Sequence, residues 1–105
     1  MQFTPSASSQ VAGREFLKRK HLRQEGRDPE VNEKVGPAQI AALNKYGVKY
    51  EGVFDYLKDI HQSTLVVNGH NDVIAPTVNS FTLQENLPNA QLILYPDSNH
   101  GSFYQ

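Results

Sequence analysis

Thr64-Leu65-Val66-Val67-Asn68-Gly69-His70-Asn71-Asp72-Val73-Ile74-Ala75-Pro76 is the stretch that decides the fold. Its first five residues form a β-branched, apolar run that ends on a glycine and gives way to a polar loop, the pattern of a strand. Downstream, Gln91-Leu92-Ile93-Leu94-Tyr95 repeats the pattern and stops at Pro96. Neither run alternates polar with apolar residues, so both faces of each strand are expected to be covered, as in a parallel sheet sandwiched by helices. The intervening sequence supplies such a helix. It follows Pro76, takes Thr77 as its cap, runs through Val78, Phe81, Thr82 and Leu83, and stops before Leu87-Pro88-Asn89. Strand, helix and strand together predict a right-handed β-α-β unit with two parallel strands.

In such a unit the functional groups gather at the carboxyl ends of the strands. Asp72 lies just beyond the first strand and His100 just beyond the second, so both project from one edge of the sheet. Neighbouring strands sit about 4.8 Å apart, and short loops bridge that distance to bring a carboxylate onto an imidazole N–H. A carboxylate in that position fixes the ring tautomer and stabilises the imidazolium formed when the other nitrogen takes a proton. Asp97 and Asn99 are expected to support the histidine loop through side-chain to backbone hydrogen bonds.

On these residues the chain resembles a known family. The stretch Leu65 to Pro76 resembles the acid segment of α/β-hydrolases, and Leu92-Ile93-Leu94-Tyr95-Pro96-Asp97-Ser98-Asn99-His100-Gly101 resembles their histidine segment. The family's triad runs nucleophile, acid, histidine along the chain, and Asp72 before His100 follows that order. The resemblance implies an α/β class and a partial α/β-hydrolase fold, a helical cap segment over 1–60 followed by a β-α-β core portion over 61–105. It further implies esterase-like hydrolysis of a small-molecule, ester-like substrate, with Asp72 and His100 as catalytic residues.

The nucleophile is where the sequence departs from the family. No Gly-x-Ser-x-Gly occurs; Ser6, Ser8 and Ser9 stand at a helix start without a preceding buried strand. Ser80 falls inside the crossover helix, and Ser98 and Ser102 flank His100 without an elbow. The chain also stops five residues past His100, where the family continues into a helix. It is therefore expected to be a C-terminal fragment, inactive alone, whose Ser or Asp nucleophile lies elsewhere. A two-stranded apolar sheet with unshielded edges points the same way.

The first half is expected to be helical. Ser8 or Ser9 is placed to cap a helix carrying Val11, Ala12, Phe16, Leu17 and Leu22, ending near Glu25-Gly26, with a turn at Asp28-Pro29. Pro37 in a first turn and Gly47 just past the end frame a second helix over Pro37 to Tyr46. Residues 53–60 add one or two helical turns.

Composition narrows the function classes. The 105 residues carry 10 Lys and Arg against 11 Asp and Glu, a net charge of −1, which implies no polyanion partner. The cluster from Lys18 to Arg23 is flanked by acids and reads as a solvated helix face, not a nucleic-acid patch. With no cysteine there is no disulfide framework, thiolate zinc site or Cys nucleophile, and the chain leans toward a reducing, cytoplasmic setting. The N-terminus lacks a secretory pattern and no run reaches a membrane span, so no membrane partner is expected, nor is a cofactor.

Three other readings follow from the same residues. One is a small non-catalytic interaction protein derived from a hydrolase, covering its strand edges as a homodimer. Another is a fragment that docks on a complementing hydrolase chain. The third is a metal site, since His70, Asp72 and His100 spell the His-x-Asp…His pattern of a two-histidine, one-carboxylate iron centre. His21 and His61 are expected to serve only surface or packing roles.

Overall fold

The computed structural model of the chain describes residues 2–48 and 50–105; Met1 and Lys49, both inside the expected cap-like segment, lie outside the described residues. The order is α1 (Ala7–Leu22), α2 (Val35–Tyr46), a 3₁₀ turn (Asp55–Asp59), β1 (Thr64–Gly69), α3 (Thr77–Asn86), β2 (Ala90–Tyr95) and a closing 3₁₀ turn (Ser102–Tyr104). β1 and β2 pair in parallel, from Thr64 opposite Ala90 to Gly69 opposite Tyr95. The architecture is thus helices followed by a β-α-β unit, as the apolar runs required.

Local chemistry sets the element ends, and in places it differs from expectation. Ser6 caps α1, its Oγ accepting the Ser9 N–H at 3.1 Å. Ser9 is buried instead, and its hydroxyl accepts the Thr4 N–H at 3.0 Å. The helix ends at Leu22, with Arg19, Lys20 and His21 in its last turn where cations meet the negative end of the helix dipole. Pro37 sits in the first turn of α2, where its missing N–H costs nothing, and the Gly47 N–H closes the far end on Leu43 O at 2.8 Å. Thr77 does not cap α3. Its hydroxyl donates to Gly69 O (2.8 Å) and His70 O (3.1 Å), tying the start of α3 to the end of β1, and Pro76 stands at the cap position.

The core is small. Leu57, Val66 and Leu87 are buried, with Ile60, Ala90 and Leu92 packed against them. Val66 and Leu92 are opposite each other in the register and face α3, so one side of the sheet is covered. The inward polar residue on that side, Asn68, is satisfied: its Nδ2 donates to Ala75 O and Ser80 Oγ, each at 3.1 Å. The other side carries Leu65, Ile93 and Tyr95, which are 57, 41 and 45 % exposed. The expectation that both faces are covered is therefore met on one face only, because among the described residues the helical cover lies on the Val66 side.

The first half sits differently from a uniform helical layer. No residue of α2 is buried, and Ile40, Leu43 and Tyr46 are exposed. α1 and the residues before it instead lie against the histidine end of the sheet, where Phe16 stacks on Tyr104 with ring centroids 4.3 Å apart. Among the described residues no helix is long and apolar enough to cross a membrane.

Candidate active site

Two loops leave the sheet side by side at the carboxyl ends of β1 and β2. The ladder continues past the strands: His70 N–H donates to Tyr95 O and Asn71 N–H to Ser98 O, both at 2.9 Å. At Gly69 a Cβ would collide with the carbonyl oxygens of Ser98 and Asn99, so only glycine admits this close crossing of the loops.

Asp72 follows, with 1 % of its side chain exposed, and both of its oxygens are engaged. Oδ1 accepts the backbone N–H groups of Ile74 (2.8 Å) and Ala75 (2.9 Å). Oδ2 lies 3.0 Å from Nδ1 of His100. Burial pushes the carboxyl upward, but the N–H of Ala75, the His100 ring and the N–H of Ile74 outweigh it and hold Asp72 below its ordinary value. An ionised carboxylate only accepts, so the ring hydrogen belongs on Nδ1 and the lone pair on Nε2. The His100 side chain is 43 % exposed, so this nitrogen is open to a proton donor. That arrangement fits a general base oriented by an acid.

The loops around the pair are pinned by further polar groups. Asn99, buried, accepts the N–H groups of His100 (2.9 Å) and Val73 (3.0 Å) at a single oxygen. This is the side-chain to backbone support expected of it. Asp97 acts otherwise: with φ at 50°, a left-handed conformation that Asp tolerates better than most residues, it turns its carboxylate to three hydroxyls. Ser6 donates to it at 2.5 Å, Thr4 at 2.6 Å and Ser8 at 2.8 Å. The hydroxyls of Ser6, Thr4 and Ser8 lower the pKa of this carboxyl. Sequence reasoning missed Thr4, Ser6 and Ser8 as supports of the histidine loop; a hydroxyl-rich helix start looks the same whether or not a distant carboxylate meets it. A cavity of about 400 Å³ lined by Thr4, Pro5, Asn71, Val73 and Asn99 opens beside the two loops.

The other candidate groups stay apart. His70 is exposed, and among the described residues no three His, Asp or Glu side chains converge as a metal site requires, so the His70, Asp72, His100 pattern does not form a ligand set. His21 and His61 are exposed; their backbone carbonyls accept from the Gln24 and Asn89 side chains, and among the described residues neither ring makes a side-chain hydrogen bond. Ser80 is bonded to Asn68 and Ser98 to Gln105. Among the described residues, Asp72 is the one hydrogen-bond partner of the His100 ring.

The fold of the chain has a counterpart among solved structures. An alpha/beta hydrolase fold protein from Chitinophaga pinensis superimposes with a TM-score of 0.88 and 36 % identity over 98 % of this chain and 37 % of its own length. The chain is a partial α/β-hydrolase fold. Two curated hydrolases are also similar to it. Pimeloyl-(acyl-carrier protein) methyl ester esterase of Nitrosomonas europaea is 38 % identical over 47 residues, 45 % of this chain and 19 % of that protein. Proline iminopeptidase PfmaB of Pestalotiopsis fici is 42 % identical over 54 residues, 49 % of this chain and 19 % of that protein. The stretches matched thus span about a fifth of the length of either curated relative. No family model matches the chain. Within the α/β-hydrolase fold, the loops after β1 and β2 are the ones that bring Asp72 and His100 together.

Proposed function

We propose that this chain contributes the acid, Asp72, and the general base, His100, of a nucleophile-His-Asp triad, and that the nucleophile is supplied by another part of an α/β-hydrolase fold. The observation that carries the reading is the 3.0 Å contact between a buried carboxylate and a half-exposed imidazole. In the reaction proposed, Nε2 of His100 takes the proton of a Ser nucleophile as it attacks, or of the water that resolves an ester formed on an Asp nucleophile. Nδ1–H keeps its bond to Asp72, whose negative charge stabilises the imidazolium. With Ser, His100 gives that proton to the leaving alkoxide; a water that Nε2 then deprotonates attacks the acyl-enzyme, and the proton returns to the Ser oxygen as the acid leaves. With Asp, the proton goes to the alkoxide released from the hydrolysed ester.

The substrate class proposed is a small carboxylic ester or a related acyl compound. One curated relative is named a methyl ester esterase and the other a proline iminopeptidase. Residues 1–60 serve in this reading as the cap-like cover and 61–105 as the core portion. The chain by itself is inactive, because among the described residues no Ser or Thr hydroxyl bonds to the His100 ring. The test is hydrolysis of a chromogenic short-chain ester by the purified chain and by His100→Ala. No turnover above the uncatalysed rate is expected from either; robust turnover abolished by His100→Ala would overturn the inactivity.

One observation favours a second reading. The exposed Leu65, Ile93 and Tyr95 on the open sheet face suit an interaction surface, so a non-catalytic binding protein that retains the hydrolase loops is the alternative.

A further inference from the structure

We propose that Asn99 is the positioning residue that holds the acid loop and the histidine loop at the spacing the Asp72–His100 pair requires. The inference rests on reading those two residues as acid and base.

Asp72 and His100 stand on different loops, so their 3.0 Å approach is set by whatever joins one loop to the other. The bonds from Ile74 and Ala75 orient the carboxylate, yet they lie within its own loop and fix nothing about its distance from His100. The ladder bonds at His70 and Asn71 join the loops before Asp72 is reached. Beyond that point the loops meet at one oxygen. Asn99 Oδ1 accepts from Val73, the residue after Asp72, and from His100 itself. A carbonyl oxygen has two lone pairs, and both are used. Asn99 is 5 % exposed, so water does not readily replace it. Removing it leaves the backbone N–H groups of Val73 and His100 without this shared acceptor and frees the segment after Asp72 to move relative to the ring.

Asn99 touches no reacting atom, so its effect is read on the ring. In the full-length chain with ¹⁵N-labelled histidine, the imidazole shifts report how much of neutral His100 carries its hydrogen on Nδ1 and how much on Nε2. The wild type is expected to favour Nδ1–H. Asn99→Ala is expected to move the ratio toward Nε2–H by about fivefold, the factor that one hydrogen bond of ordinary strength represents. Asn99→Asp, which keeps the accepting oxygen, is expected to retain the wild-type ratio.

Asn99→Ser, too short to reach both N–H groups, is measured in parallel in case the alanine variant does not fold. If neither folds, couplings across the hydrogen bonds from the Val73 and His100 amides to the Asn99 side-chain carbonyl decide the matter in the wild type. An unchanged ratio in Asn99→Ala or Asn99→Ser, or the absence of those couplings, overturns the proposal. Asp72→Asn separates the two levels. If it too leaves the ratio unchanged, the acid-base reading itself fails; if it shifts the ratio and the Asn99 variants do not, only the role of Asn99 falls.

Discussion

Asp72 combines near-complete burial with three hydrogen bonds to its two oxygens, and each property has a measurable consequence. Its folded-state pKa is depressed, so its ionised form contributes stability at any pH above the ordinary carboxylate value of about 3.9. That contribution is lost as pH falls through the lower, folded-state value. Asp97, held down by the Ser6, Thr4 and Ser8 hydroxyls, acts in the same direction. Urea midpoints of the wild type should therefore be flat from pH 7 to 5 and fall steeply below 4. Asp72→Ala, which orphans the Ile74 and Ala75 N–H groups, should cost about 1–3 kcal/mol at pH 7 and flatten the acid limb. Gly69→Ala should cost a comparable 1–3 kcal/mol, roughly that of overpacking, because its Cβ meets backbone and not a movable side chain; thermal unfolding of the two proteins measures it.

At this scale the pairing of Asp72 with His100 was legible in the sequence, because strand ends fix which loops are neighbours. The bond of Asn99 to the His100 N–H was legible from the habit of Asx side chains in turns, whereas its bond to Val73 on the other loop was not. The role of Asp97 was not, since its partners lie about ninety positions earlier and nothing local to either segment marks the other. Thr77 looked like a cap because caps are the commonest use of Thr before a helix. The carbonyls of Gly69 and His70, brought there by the strand, compete for the same hydroxyl and win.

Among the described residues, the buried apolar cluster lies between the sheet, the end of α3 and the 3₁₀ turn that carries Leu57. Leu87→Ala should cost about 2–5 kcal/mol, the range for a buried leucine, read from the urea midpoint. The two faces of the strands should respond differently to charge. Leu92→Lys, on the α3 side, should unfold the chain or nearly so, whereas Ile93→Lys, one residue on and on the open side, should change stability by about 0.5 kcal/mol or less. Equal losses at the two positions would mean that the open face is covered in solution. The strands, their parallel order and the crossover helix were all legible from short apolar runs and a proline. The absence of cover on one face was not, because apolar composition states what a face needs and says nothing of what this chain supplies.

The whole molecule is extended for its length. Its radius of gyration is 16.8 Å, against about 13 Å for a compact chain of this size. The excess is consistent with α2, which buries none of its residues, and with the exposed segment before it. Ile40→Lys and Leu43→Lys should accordingly leave the unfolding midpoint within about 0.5 kcal/mol of wild type, despite replacing large apolar residues inside a helix. A helix that hydrophobic at Ile40, Leu43 and Tyr46 was legible as a helix, but its packing was not, since periodicity names an apolar stripe without naming its partner.

The central claim, that Asp72 and His100 are the acid and base of a hydrolase, is tested most directly by restoring what they would serve. The chain is co-expressed with the remaining portion of an α/β-hydrolase fold that carries a nucleophile, and the purified assembly is given a chromogenic short-chain ester. The account predicts turnover from the assembly, none from either part alone, and a loss on the order of 10³-fold or more in His100→Ala and Asp72→Ala. An assembly that forms and turns over ester equally well with His100→Ala, or one that forms and has no activity, would contradict it.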